Sequence, residues 1–218
     1  MGSREDLRAR DIARHWLPSQ GVDPAPLAEL NAECLGLLAS RAAEQQQGVL
    51  VPELLVELHR EWADLSTQAV RRLAAAPFSL FDVGLGLSPR WLEVRPHAVH
   101  DRAQLVEPPF FPLRAARPIV RRMLVYGWHL ARSRPRAACL VFGVQLTAVE
   151  ALAACSLSTL EAAADRNAEL LRPRWSHQHS FWRELLSAAS LGAEKRLHEL
   201  LLGGVQRLAA DSFAAHAR

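Results

Sequence analysis

Between Ala138 and Trp175 the chain reads ACLVFGVQLTAVEALAACSLSTLEAAADRNAELLRPRW, and this run constrains the fold more than any other. An apolar helix runs into Phe142-Gly143, where glycine tolerates the left-handed backbone of a sharp turn. Two short helices are then announced by a hydroxyl with a glutamate three residues on: Thr147 with Glu150, and Ser158 with Glu161. In such a capping box the hydroxyl accepts a free first-turn N–H, while the glutamate reaches back to the N–H of the cap. Helix, glycine turn, capped helix, capped helix is the layout of a helix-turn-helix unit, used for DNA binding or for protein docking. With Gly143 as the turn glycine, Ala138, Phe142, Val144, Val149 and Leu152 fall at the spacings that close a three-helix core. Cys139 is the small residue expected where the helices cross closely.

Composition supports helices throughout. The 218 residues are half apolar, rich in Ala, Leu, Arg and Glu, and carry one Tyr; these are good helix formers and poor sheet formers. Of the 26 basic side chains only Lys195 is lysine, so 25 are arginine. Guanidinium suits bidentate pairing to phosphate and carboxylate, although a coding bias produces the same excess. Cys34, Cys139 and Cys155 form no CxxC pair and read as buried small residues rather than a disulfide or metal framework. Residues 1–17 are charged and lack the apolar centre of a secretory signal, and no apolar run reaches membrane-spanning length. A soluble, cytoplasmic protein without cofactor is the expectation.

Apolar spacing predicts helices at 5–17, 27–47 and 51–75. The second has Leu27, Leu30, Cys34, Leu37 and Leu38 on one face, and the third has Leu54, Leu55, Leu58, Trp62, Leu65 and Leu73. Prolines at 77, 89, 96, 108, 109 and 112 then interrupt the pattern. The segment reads as a long ordered wrap held by Phe78, Leu80, Phe81 and Trp91. A strongly apolar helix follows from Pro118, and two more cover about 180–190 and 193–213. The expected fold is all-α: a multi-helix bundle with an N-terminal helical unit (1–76), a Pro-rich connection (77–116) and a C-terminal helical unit (117–218), forming one compact domain.

The outward positions of the helix after Gly143 are expected to be Ala148, Glu150, Ala151 and Ala153. That set offers nothing to base edges, which call for Arg, Lys, Asn or Gln, and its glutamate repels phosphate. Cations flank the unit instead: Arg132, Arg134 and Arg136 before it, Arg166, Arg172 and Arg174 after it. These six, with Trp175 at a break, are the candidate DNA- or partner-binding residues, since phosphate contacts position a protein and base contacts specify. Solvated helix ends are their other reading.

Phe142-Gly143-Val144, Val149, Leu152, Ser156-Leu157-Ser158, Leu160, Ala164 and Leu170-Leu171-Arg172 together resemble the core of the FlhD family of flagellar transcriptional regulators. The resemblance covers about 35 residues, mostly packing positions. It implies a non-enzymatic, all-helical regulatory subunit that controls transcription of motility or secretion genes within a larger complex. It brings no catalytic or metal residue with it. A helical adaptor in a secretion or other assembly, never touching DNA, is the alternative. A protein partner is expected either way, with DNA as a second candidate and self-association left open.

Other constellations are weaker. His97, His100 and Asp101 form HxxHD, and His177 with His179 forms HxH; together they offer four metal ligands, though loop histidines more often cap or face solvent. His129, beside Trp128, is expected to be a hydrogen-bonded core residue. Arg114, Arg117, Arg121 and Arg122 can meet an anionic partner or simply cover their helix. No nucleophile elbow, P-loop or dinucleotide fingerprint is present, so enzyme activity is not expected.

Overall fold

Apolar residues three and four apart bury one stripe of a helix against its neighbours, and the computed structural model shows that repeated along the chain. It describes residues 21–44, 51–85 and 108–214, with side chains to residue 210. The expected helix at 5–17, Trp16, Trp91 and the His97, His100, Asp101 group lie outside the described residues. The helices are α1 (Ala25–Ala43), α2 (Glu53–Glu57), α3 (His59–Ala63), α4 (Thr67–Ala74), α5 (Leu113–Ser133), α6 (Pro135–Phe142), α7 (Leu146–Ala153), α8 (Leu157–Asn167), α9 (His179–Leu191) and α10 (Glu194–Ala214). The strand pairing among the described residues is β1 (Phe81–Asp82) antiparallel to β2 (Arg172–Pro173), with Phe81 opposite Pro173 and Asp82 opposite Arg172. The fold is all-α.

Two boundaries differ from expectation for physical reasons. The single helix expected over 51–75 is three helices. Its backbone departs from helical values at Leu58 (φ −109°, ψ 27°), and Ser66 caps α4 by accepting the Ala69 N–H at 3.2 Å. All six apolar residues of the pattern are buried all the same, because the breaks bend the segment around α1 while its inner face stays covered. Spacing reported burial, not continuity. The helix expected from Pro118 starts five residues earlier. Extended Pro112 leads into it, and Pro118 sits one turn inside, where it removes the hydrogen bond to the Arg114 carbonyl. Both residues are exposed, so water can satisfy that carbonyl and the helix continues.

One hydrophobic cluster runs from Val22 to Leu208. At its aromatic centre, Trp182 of α9 lies 5.4 Å from Trp62 of α3 and 6.3 Å from Phe81 of β1, and Phe81 meets Phe111 edge-on at 5.9 Å. The segment 78–82 is a strap between α1 and α6. Asn31, a buried polar residue of α1, donates from Nδ2 to the Phe78 carbonyl at 3.1 Å, while its Oδ1 accepts the Leu80 N–H at 3.0 Å. From the other side the Val141 carbonyl accepts the Ser79 N–H at 2.9 Å. Each such bond contributes about 1 kcal/mol net, and leaving a buried partner unpaired costs about 1–3 kcal/mol. The described part of the wrap is therefore keyed to both α1 and α6.

Candidate functional site

The α6–α8 unit is built around Gly143. Its φ of 56° and ψ of 44° are left-handed, and Val144 donates its N–H back to the Cys139 carbonyl at 3.0 Å, closing α6. The chain turns so sharply there that the axes of α6 and α7 differ by 116°. Ala138, Phe142, Val144, Val149 and Leu152 are all buried, as their spacing required. The close crossing is not at Cys139, which is half-buried. It lies at Gly127 of α5, where a Cβ would sit 3.2 Å from both Leu152 Cδ2 and Phe142 Cε2. A glycine within an apolar helix is the sequence mark of this contact.

Both caps are displaced from the expected boxes. α7 begins at Leu146 behind an extended Gln145 that makes no side-chain cap bond, so Thr147 lies inside the first turn. The turn of Gly143 and Val144 has already set the direction of the chain, and no capping hydroxyl is needed. α8 begins at Leu157, where Ser156 rather than Ser158 caps it by accepting the Thr159 N–H at 3.1 Å. In the preceding turn Trp128 Nε1 donates to the Cys155 carbonyl at 3.0 Å. Glu161 is left free to pair with Arg121 across to α5.

The surface of α7 also differs from expectation. Ala148 is buried, while Leu146, Thr147 and Glu150 are exposed. Leu146 is 47% exposed and Leu157, at the start of α8, 54% exposed. Neither position was identified from the sequence, because helical spacing assigns leucine to the inside.

The candidate arginines separate into two kinds. Arg132, Arg134, Arg136, Arg166 and Arg172 are exposed. Among them Arg132 lies over the Trp128 ring at 4.8 Å, and the Arg134 guanidinium lies against Gly21. Arg174 is half-buried and structural: its Nε donates to the Ser79 carbonyl at 2.7 Å, its Nη2 donates to the Phe142 carbonyl, and its own N–H reaches the Leu80 carbonyl at 2.9 Å. It therefore cannot grip an external phosphate without releasing the strap and the end of α6. Trp175 is half-buried, edge-on to Phe181 at 5.2 Å and to Phe78 at 6.0 Å, with the Arg207 guanidinium 5.9 Å above its ring. Its φ of 51° is unusual for a bulky residue and strains the backbone there. Trp175 anchors the interior.

A shallow cleft of about 430 Å³ lies along α5 and is lined by Arg121, Arg122, Val125, Tyr126, Trp128 and His129. His129 is exposed, correcting its expected core position; it falls on the side of α5 away from Met123, Leu124, Gly127 and Leu130. Arg121 pairs with Glu161, and Arg122 with Glu33 of α1. Burial, and then the charge of Asp23, push the Tyr126 hydroxyl up to about 12. All three cysteines are free, Cys34 buried and Cys139 and Cys155 half-buried rather than fully so. Burial raises each thiol above its ordinary value, which keeps them protonated and weakly nucleophilic.

The histidine pair is split. His177 is exposed, while His179 turns toward α2, where its Nδ1 lies 2.8 Å from Glu57 Oε2. With Glu53 this makes a group of three metal-capable side chains that sequence spacing had not joined.

These features define an all-α protein with an angled three-helix unit and, among the described residues, many exposed arginines. No protein-family model, curated protein or solved structure matches the chain. No single helix among the described residues is long and apolar enough to cross a membrane.

Proposed function

We propose that this chain is a non-enzymatic bacterial regulatory subunit that docks a protein partner through its α6–α8 unit. The observation that carries the reading is the exposure of Leu146 and Leu157 at the starts of two successive helices, beside Glu150 and without an outward cation on α7. Exposed leucines next to a carboxylate suit an apolar protein surface and repel a phosphate backbone. The 116° turn between α6 and α7 falls within the roughly 90–120° range of helix-turn-helix units. On the resemblance to flagellar transcriptional regulators, the complex is one that controls motility or secretion genes.

The test is retention of partners from the native cell by the intact protein and by a Leu146→Glu, Leu157→Glu double variant with the same helical circular dichroism. A partner held by the parent and lost by the variant supports the reading; identical partner sets overturn it. A DNA-bound form draws on the exposed Arg134 and Arg136 at the start of α6. It requires salt-dependent binding to duplex DNA, alone or with the partner, that weakens when both are changed to alanine. No binding at low salt in either arrangement leaves the adaptor role, in which DNA is never touched.

A further inference from the structure

The start of α9 and the short helix α2 are far apart in sequence, yet they meet through charged groups. His179 Nδ1 is 2.8 Å from Glu57 Oε2, and Glu53, one turn earlier on α2, brings the three ligand atoms within 4.8 Å of one another. Glu53, Glu57 and Glu61 recur at every fourth residue. Facing them, one turn beyond His179, Arg183 lies 3.7 Å from Glu57 and 3.6 Å from Glu61. Three carboxylates face a single guanidinium here, which leaves carboxylate charge for a bound cation to balance.

We propose that Glu53, Glu57 and His179 form a site for a divalent first-row metal ion of the zinc type, tying α2 to the start of α9. One imidazole nitrogen and two carboxylate oxygens are a borderline donor set that suits zinc, and three protein ligands leave a fourth position for water. An ion about 2.0–2.2 Å from each ligand spaces neighbouring ligand atoms about 3.3 Å apart. The His179–Glu57 pair opens by a fraction of an ångström to admit it. Glu53 is exposed and swings in by a change of rotamer, while Arg183 keeps Glu61. Neither His97 nor His100 is needed.

The experiment is calorimetric titration of zinc chloride into the full chain, carrying no affinity tag. One equivalent binds, and His179→Ala or Glu57→Gln weakens it at least about tenfold, since even residues behind the ligands are worth that much. Loss of the neighbouring exposed imidazole in His177→Ala leaves the affinity unchanged. Cobalt in place of zinc gives the weak visible bands of nitrogen and oxygen donors, without the charge-transfer band that a cysteine thiolate would add. Circular dichroism verifies each variant, and Glu53→Gln, at an exposed ligand, serves if His179→Ala fails to fold. Absence of stoichiometric zinc, binding that survives His179→Ala and Glu57→Gln in folded protein, or a thiolate band overturns the site.

Discussion

Two regions of the molecule solve the same packing problem in different ways. Residues 53–74 form three short helices against α1, and residues 135–167 form three short helices against α5. In the second region the turn is made by a glycine, which announces itself in the sequence. In the first the breaks fall at Leu58 and near Ser66, among residues that continue a helix elsewhere, and both Leu58 and Leu65 are buried. Gly143 and the capping Ser66 mark their breaks locally, whereas the break at Leu58 is bent from outside by packing and leaves no such mark.

Five substitutions probe that contrast, beginning with the largest effect. Gly127→Leu drives a side chain into Leu152 and Phe142 at the α5 crossing, and we expect about 3 kcal/mol of destabilisation. Denaturant unfolding with an unchanged slope measures it; a loss below about 1 kcal/mol would show that α6 and α7 move aside and that the crossing is not fixed there. Next, the caps separate true helix starts from apparent ones. Ser66→Ala and Ser156→Ala each cost about 1 kcal/mol, whereas Thr147→Ala costs close to nothing. For a chain of this size, a 1 kcal/mol loss lowers Tm by about 2–4 °C. Equal shifts for Thr147 and Ser156 would contradict the cap assignment. Smallest is Gly36→Ala in α1. A Cβ there meets nothing within 4 Å, so relief of glycine's backbone entropy stabilises the fold by about 0.5–1 kcal/mol. A drop in Tm would mean that α1 is packed more tightly at Gly36 than this geometry allows.

What the sequence disclosed follows the same line. The inner face of α1 was legible because apolar spacing reports burial, with Leu27, Leu30, Cys34 and Leu38 buried and Leu37 half-buried, and Gly143 was legible because its conformation belongs to its residue type. Ser156 was hidden: a serine two positions later offered a better capping pattern, and only the folded backbone shows which of them caps the helix. Arg174 looked like its five neighbours in composition. Its inward role depends on three carbonyls, those of Ser79, Leu80 and Phe142, that no local pattern brings near it. The Glu53, Glu57, His179 group was half visible, its histidine noted and its carboxylates not, because the two elements that supply it lie more than a hundred residues apart.

The two-sided grip on residues 78–82 bears on how this molecule can be studied. Asn31 holds the backbone at Leu80 from one side and Arg174 holds it at Ser79 from the other, so excising either end strands amide groups and uncovers indole surface at Trp62 or Trp182. A fragment starting at residue 108 that failed to recognise anything would be reporting its own collapse, not a missing affinity. Dissection here belongs to single side chains on the intact polypeptide.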